Sequence, residues 1–228
     1  MESMQDLFWK LYNAETELQV HEIVNANPIL DDPKNWRLYG SKQYGENFGN
    51  FGTFEGQQYH PIPALVEKIT NSVDALLMKE CIAKDIPLKS EKAPKSMGEA
   101  VEKFFGIKDG DFSEVGAGKR RDIGGNIQII ASGDLKTPSI TVYDDGEGQH
   151  PDNFEDTFLS LHRKNKSDIK FAQGKYNMGS TGAVTFCGEN KYQLIASKRT
   201  NSDKCFKNNH NPFGFTLVRR HPMSKVEE

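Results

Sequence analysis

Pro63-Ala-Leu-Val-Glu67-Lys-Ile-Thr-Asn71-Ser-Val-Asp74-Ala-Leu-Leu77 is the stretch on which the reading of this chain turns. Wound as a helix at about 100° per residue, it puts Leu65, Ile69, Val73, Leu76 and Leu77 on one stripe and Glu67, Asn71 and Asp74, spaced i, i+4 and i+7, on the other side. One face is built for a core. The other holds two carboxylates and an amide, which read equally as a solvated stripe or as one wall of a site.

Two later stretches bear on that choice. Thr141-Val-Tyr-Asp144-Asp145-Gly146-Glu147-Gly148 runs a strand into an Asp-x-Gly-x-Gly turn. Glycines there let backbone approach a ligand, and a carboxylate at a strand end suits an exocyclic amine such as that of adenine. Read alone, Asp-Gly is only a turn signal. Gly174-Lys175-Tyr-Asn-Met-Gly179-Ser180-Thr181-Gly182-Ala-Val-Thr-Phe places glycines before a helix start, where backbone N–H groups and the helix dipole attract an anion. It imitates a P-loop, but Ser180 stands where the phosphate-reaching lysine belongs and no parallel strand precedes Gly174.

Around these stretches the pattern predicts one or two amphipathic helices over residues 4–26, then a Gly- and aromatic-rich segment from Gly40 to Gly56 that carries Tyr44, Phe48, Phe51 and Phe54. A long helix should span Pro61 to about Lys84, an exposed polar loop Asp85 to Ser96, and a short helix Met97 to Gly106. Asn126–Ala131 and Ser139–Tyr143 flank Gly133-Asp134 as a β-hairpin. A helix from Pro151 to Leu161, a short helix after Gly182 and strands at Tyr192–Ser197 and Phe213–Val218 complete the chain. The economical architecture is α+β: a two-layer sandwich with helices on one face of a mixed sheet.

With 228 residues and 36% hydrophobic content the chain can bury a substantial core. Its net charge of -3 advertises no nucleic-acid or membrane partner through the average field. Cys81, Cys187 and Cys205 lack the spacing of a disulfide framework or a zinc site. No apolar run approaches the roughly 18 residues of a membrane span. The opening residues include Glu2 and Asp6 rather than a basic leader, so a reducing cytoplasm is the expected home.

In their order, Glu-x-x-x-Asn-x-x-Asp on a helix, Asp-x-Gly-x-Gly after a strand and a glycine-rich loop opening a helix resemble the nucleotide site of the GHKL superfamily: gyrase, the heat-shock chaperone of that fold, sensor histidine kinases and mismatch-repair MutL. The resemblance covers roughly residues 60 to 220 and is nearest the chaperone, MutL and MORC-like branches. It implies the Bergerat fold over 59–222, preceded by an amino-terminal segment, 1–58, acting as a dimerisation strap, and followed by a tail, 223–228, leading toward a further domain.

The same resemblance implies ATP and Mg²⁺ as cofactors, with Asn71 as metal ligand and Glu67 as the general base that activates water. Asp74 would lie at the edge of the site in its hydrogen-bond network. Asp144 would read the adenine amine, with Gly146 and Gly148 making room for the base. Residues 162–182 look like the ATP lid, with Gly179, Ser180, Thr181 and Gly182 at the phosphates and Lys164, Lys166 and Lys175 as candidate phosphate partners. Thr216 matches a late Gly-Thr element. Implied partners are ATP or ADP, a second copy of the chain in a nucleotide-dependent homodimer, and a protein partner or further domain that supplies a lysine to the γ-phosphate. By analogy the pathway would be a nucleic-acid transaction or antiviral defence. Two competing readings are a histidine-kinase-like phosphotransferase and a nucleotide-binding module without hydrolysis.

Overall fold

The structure, a computed structural model, describes residues 2–37, 60–159, 166–174, 183–201, 203 and 210–220. Two helices open it, α1 (Met4–Tyr12) and α2 (Glu17–Ala26), each started by a reciprocal capping box, Ser3 with Asp6 and Thr16 with Gln19. A single turn, α3 (Pro28–Asp31), follows. The long helix is α4 (Pro61–Ala83), with prolines in its first turn where a missing N–H costs nothing. Next, α5 (Met97–Phe105) runs from the Ser96 cap to Gly106, whose φ of 63° closes the helix in the left-handed region.

A helix without a sequence signal comes next, α6 (Ala117–Gly124). It is polar on every side, so no periodicity announced it. Strands β1 (Ile127–Ser132) and β2 (Ser139–Asp144) form the anticipated hairpin, with Ile127 opposite Asp144. Strands β3 (Gln193–Ser197) and β4 (Gly214–Val218) pair likewise, with Ile195 opposite Thr216. The α+β class holds, and among the described residues the strands form two antiparallel ribbons.

The core gathers Leu77, Met78 and Cys81 of α4, Ala100 of α5 and Ile169, Phe171 and Ala172, with Val73 packed against it. Of the predicted α4 stripe, Leu76 and Leu77 are buried, while Leu65 and Ile69 are half-buried. The loop from Asp85 to Ser96 departs from expectation, because Ala93 and Pro94 are buried and Ala93 joins that core. The segment after Pro151 is a 3₁₀ turn, Pro151–Asp156, rather than a helix running to Leu161. Only Phe154 is buried in it, so the segment lacks the apolar stripe that would hold a longer helix, and Leu161 lies outside the described residues. Ala183–Phe186 is also a 3₁₀ turn. The Gly- and aromatic-rich segment with Tyr44, Phe48, Phe51 and Phe54 falls outside the described residues.

Helices α1 and α2 dock on the sheets. Phe8 packs its ring 4.9 Å from Phe213 and 5.4 Å from Phe215 at β4. The Glu17 carboxylate accepts backbone N–H groups of Glu189, at 3.2 Å, and Asn190. His21 Nδ1 and the Tyr192 hydroxyl lie 2.9 Å apart, and Ser139 Oγ donates to the Glu15 carbonyl at 3.0 Å. Burial by itself would raise the Glu17 carboxyl, but the Asn190 and Glu189 amides outweigh it and hold the group below the usual range.

Candidate functional site

The polar side of α4 is turned into the domain. Asp74 is fully buried, at 0% exposure, and Ser72 is buried beside it, while Glu67 and Asn71 are half-buried. The solvated-stripe reading therefore does not describe this face. A buried carboxylate demands hydrogen-bond donors, and Asp74 receives the backbone N–H of Gln173 at 3.0 Å and of Gly174 at 2.9 Å. Asp74 thus anchors the backbone entering the glycine-rich stretch. Gly174 has no room for a side chain, since a Cβ there would run into Asn71 Oδ1 and sit 3.3 Å from Asp74 Oδ2. Lys166 completes this end: its ammonium lies 3.4 Å from Asn71 Oδ1, to which it donates, and 3.6 Å from Asp74 Oδ2.

At the other end, Asp144 closes β2 facing α4. Ser72 Oγ donates to its Oδ2 at 2.9 Å, and the Gly146 backbone N–H donates to its Oδ1 at 3.0 Å. Burial raises this carboxyl above the usual range, with Ser72 and Gly146 pulling it back. Gly146 is glycine for a contact reason: a Cβ would stand 2.5 Å from Ala75 Cβ and 2.6 Å from Asp144 Oδ1. The turn also hydrogen-bonds to α4, Glu147 N–H to the Ala75 carbonyl at 3.0 Å. Gly148, at a φ of 61°, presses on the Lys198 carbonyl, where a Cβ would collide. Between the glycines, Glu147 is buried and paired with Arg199 at 2.7 Å.

Of the residues singled out in the sequence, Asn71, Asp74, Asp144 and Gly146 converge along one side of α4, with Glu67 one turn before Asn71, while Gly148 lies against Lys198 and Arg199 beyond β3. Thr216 stands in β4 opposite Ile195, on the second ribbon rather than on α4 or the Asp144 turn. Lys164, Lys175, Gly179, Ser180, Thr181 and Gly182 lie outside the described residues. Sequence reasoning passed over Ser72, Ala75 and Arg199, and treated Glu147 as a spacer. Ser72 adjoins Asn71, so asking which neighbours share the polar face would have found it.

On α4, Lys68 is driven by burial to a pKa of about 8, with Cys187 and Glu67 opposing the shift. A separate open depression of about 640 Å³, lined by Glu2, Asp6, Trp9, Lys10 and Asn13, lies on α1 and shares no residue with these motifs.

The donor set fits an adenine nucleotide with magnesium. Each Asp144 oxygen holds one donor and keeps lone-pair capacity for an exocyclic amine. Among the described residues, no three His, Cys, Asp or Glu side chains cluster into a metal cage. Magnesium needs none when phosphates and water complete its shell, and the Asn71 amide oxygen is a hard oxygen donor of the type that suits such an ion.

These features define an α+β nucleotide-binding domain. The chain belongs to the Histidine kinase-, DNA gyrase B-, and HSP90-like ATPase family, whose model matches residues 59–212. It is an ATP-binding module of that family. No curated protein and no solved structure matches it. Among the described residues no helix is long and apolar enough to cross a membrane.

Proposed function

We propose that the domain is an Mg²⁺-dependent ATPase used as a nucleotide-driven switch. The observation that carries this reading is the joining of three motifs through α4: Ser72 to Asp144, and Asp74 to the Gln173–Gly174 backbone. Asp144 accepts the adenine amine, Asn71 offers its amide oxygen to the metal, and Glu67 takes the proton of an attacking water. Bound Mg²⁺ would offset charge on the triphosphate. Lys166, already beside Asn71, provides a cation to the phosphate end. Glu67 and Asn71 stand one turn apart on a rigid helix, so a water and a metal can be addressed side by side.

Order imposed by a γ-phosphate is the usual way such a module signals. In this reading the ordered state promotes homodimerisation through the amino-terminal segment, whose helix α2 is already bonded to the turn at Glu189 and Asn190. Sedimentation with and without a non-hydrolysable ATP analogue tests that step, and an unchanged monomer would remove it. Fold alone fixes neither pathway nor client.

Glu67→Ala tests the chemistry. A positioned general base contributes about 10²–10⁴-fold to a rate, whereas ground-state binding rests on other groups. Single-turnover hydrolysis should collapse by that factor while ATP affinity stays near wild type. Turnover within a few-fold of wild type would make the domain a nucleotide holder in which Glu67 plays no chemical part.

A further inference from the structure

We propose that the Glu147–Arg199 ion pair is a positioning device for the adenine-reading turn, fixing Asp144 at the height where it selects the exocyclic amine; this deepens the ATP-binding reading above and rests on it. Glu147 occupies the variable position of Asp-x-Gly-x-Gly, where a solvent-facing residue would serve an ordinary turn. Here it is 7% exposed, and Arg199 comes from just beyond β3 to meet it.

The contacts have one geometric result. Arg199 Nη1 donates to Glu147 Oε2 at 2.7 Å and to the Gly148 carbonyl at 2.9 Å, while its Nε donates to Asp203 Oδ2 at 2.8 Å. Thr200 N–H then bonds the Glu147 carbonyl at 2.7 Å. Asn211 Nδ2 donates to the Arg199 carbonyl at 2.7 Å, tying that backbone to the approach to β4. Gly148 lies against Lys198 and Arg199 because it lacks a side chain. The turn is therefore gripped from both sides, by Ala75 of α4 at the Glu147 amide and by the end of β3 at the Glu147 side chain and the Gly148 carbonyl. One residue before the first grip is Gly146, whose amide donates to Asp144.

A bland account would make the pair a simple stabiliser. Buried ion pairs are poor stabilisers, because desolvating two charges offsets much of their attraction, and apolar residues of similar volume hold a fold as well. An ion pair does supply directional contacts that tolerate little displacement. With its Nε held by Asp203, the planar guanidinium has a fixed orientation, and the two N–H groups of its Nη1, one on the carboxylate and one on the carbonyl, set the height and tilt of the turn.

The test compares ADP with inosine diphosphate, which lacks the exocyclic amine, by titration calorimetry without metal, so that neither turnover nor the lid chemistry enters. Glu147→Gln keeps the volume and removes the charge; Arg199→Lys keeps the charge and removes the planar group that Asp203 orients. In both variants ADP affinity should fall about tenfold, the size of one charge-assisted hydrogen bond weakened, while inosine diphosphate affinity is unchanged. The preference for the amine should therefore drop about tenfold, and in Glu147→Gln the melting temperature falls as well, because one partner of a buried pair is removed. A lower melting temperature with the wild-type preference intact would overturn the proposal and leave the pair a structural one. Should Glu147→Gln fail to fold, Arg199→Lys still decides, since the substituted lysine retains the counter-charge. Absence of ADP binding by the wild-type protein would instead remove the nucleotide reading, and this inference with it.

Discussion

The two ends of the site are built differently. At the Asp144 end the contacts are short, 2.9 Å from Ser72 and 3.0 Å from Gly146, and the turn is packed so closely that Gly146 admits no Cβ. At the Asn71 end the cation Lys166 stands at 3.4 and 3.6 Å from its two acceptors, and Glu67 and Asn71 are half-buried. Asp74, held by two backbone amides, is as firm there. Recognition of a base needs a fixed acceptor, because misplacing a hydrogen bond forfeits it. In the proposed function the phosphate end would accept a metal, a triphosphate and then a diphosphate, and would need room to rearrange. The helix that serves both, α4, is the common frame.

Replacing one residue at each end sharpens that contrast. Asn71→Ala should have the larger effect, weakening the metal-dependent part of ATP binding by more than the about 10–100-fold lost when even an outer-shell partner of a metal is removed. Titration of ATP across a range of Mg²⁺ concentrations checks it, and excess metal should recover part of the loss. Asp144→Asn should weaken ATP and ADP about 10–100-fold, equivalent to about 1.5–3 kcal/mol for a hydrogen bond to a charged group, and no amount of metal should restore it. Equal metal rescue of the two variants would erase the distinction between the ends.

The pH behaviour of Asp144 provides a finer probe. Burial raises its folded-state pKa above the ordinary 3.8, so folding disfavours its charged form. The associated cost to stability is fully present above the raised pKa and vanishes as pH falls below 3.8. Asp144→Asn should accordingly melt at or above wild type at neutral pH, in thermal unfolding without ligand, even as it loses nucleotide. Adenine nucleotide affinity of the wild type should also begin to fall at a higher pH than an ordinary aspartate would give. A variant that melts well below wild type at neutral pH would show that the carboxylate's hydrogen bonds outweigh its burial.

The smallest effect belongs to Lys68, whose pKa is lowered by burial to about 8. Between about 8 and its ordinary 10.5 the unfolded chain binds more protons than the folded one, so stability rises with pH across that window. Lys68→Met should raise the melting temperature by a few degrees at pH 7 and by progressively less toward pH 10.5. A constant difference at all pH values would mean that packing, not charge, separates the two side chains.

How much of this was legible follows from where the signals lie. Helix α4 could be read because its prolines, apolar stripe and polar spacing are local, and the hairpin because Gly133-Asp134 sits between two apolar runs. Asp74 was recognised as part of a site but not as its buried anchor, since burial depends on Gln173 and Gly174, 99 and 100 residues away. Arg199 gave no signal, because its partner Glu147 is 52 residues distant and a lone arginine after a strand is ordinary. The helix expected to reach Leu161 overran because proline marks a beginning but says nothing about length. Helix α6 escaped for the opposite reason, having a regular backbone and no apolar face.

The Glu17 contact to Asn190 spans 173 residues. A ribosome adding about 5–20 residues per second needs roughly 9–35 s to cover that distance. For that interval Glu17 has no amides to accept, and Phe8 waits longer still for Phe213 and Phe215 at β4. A segment made early thus waits for one made late, and until the second ribbon emerges the nascent protein keeps an apolar helix pair open to chaperones or to a neighbouring copy.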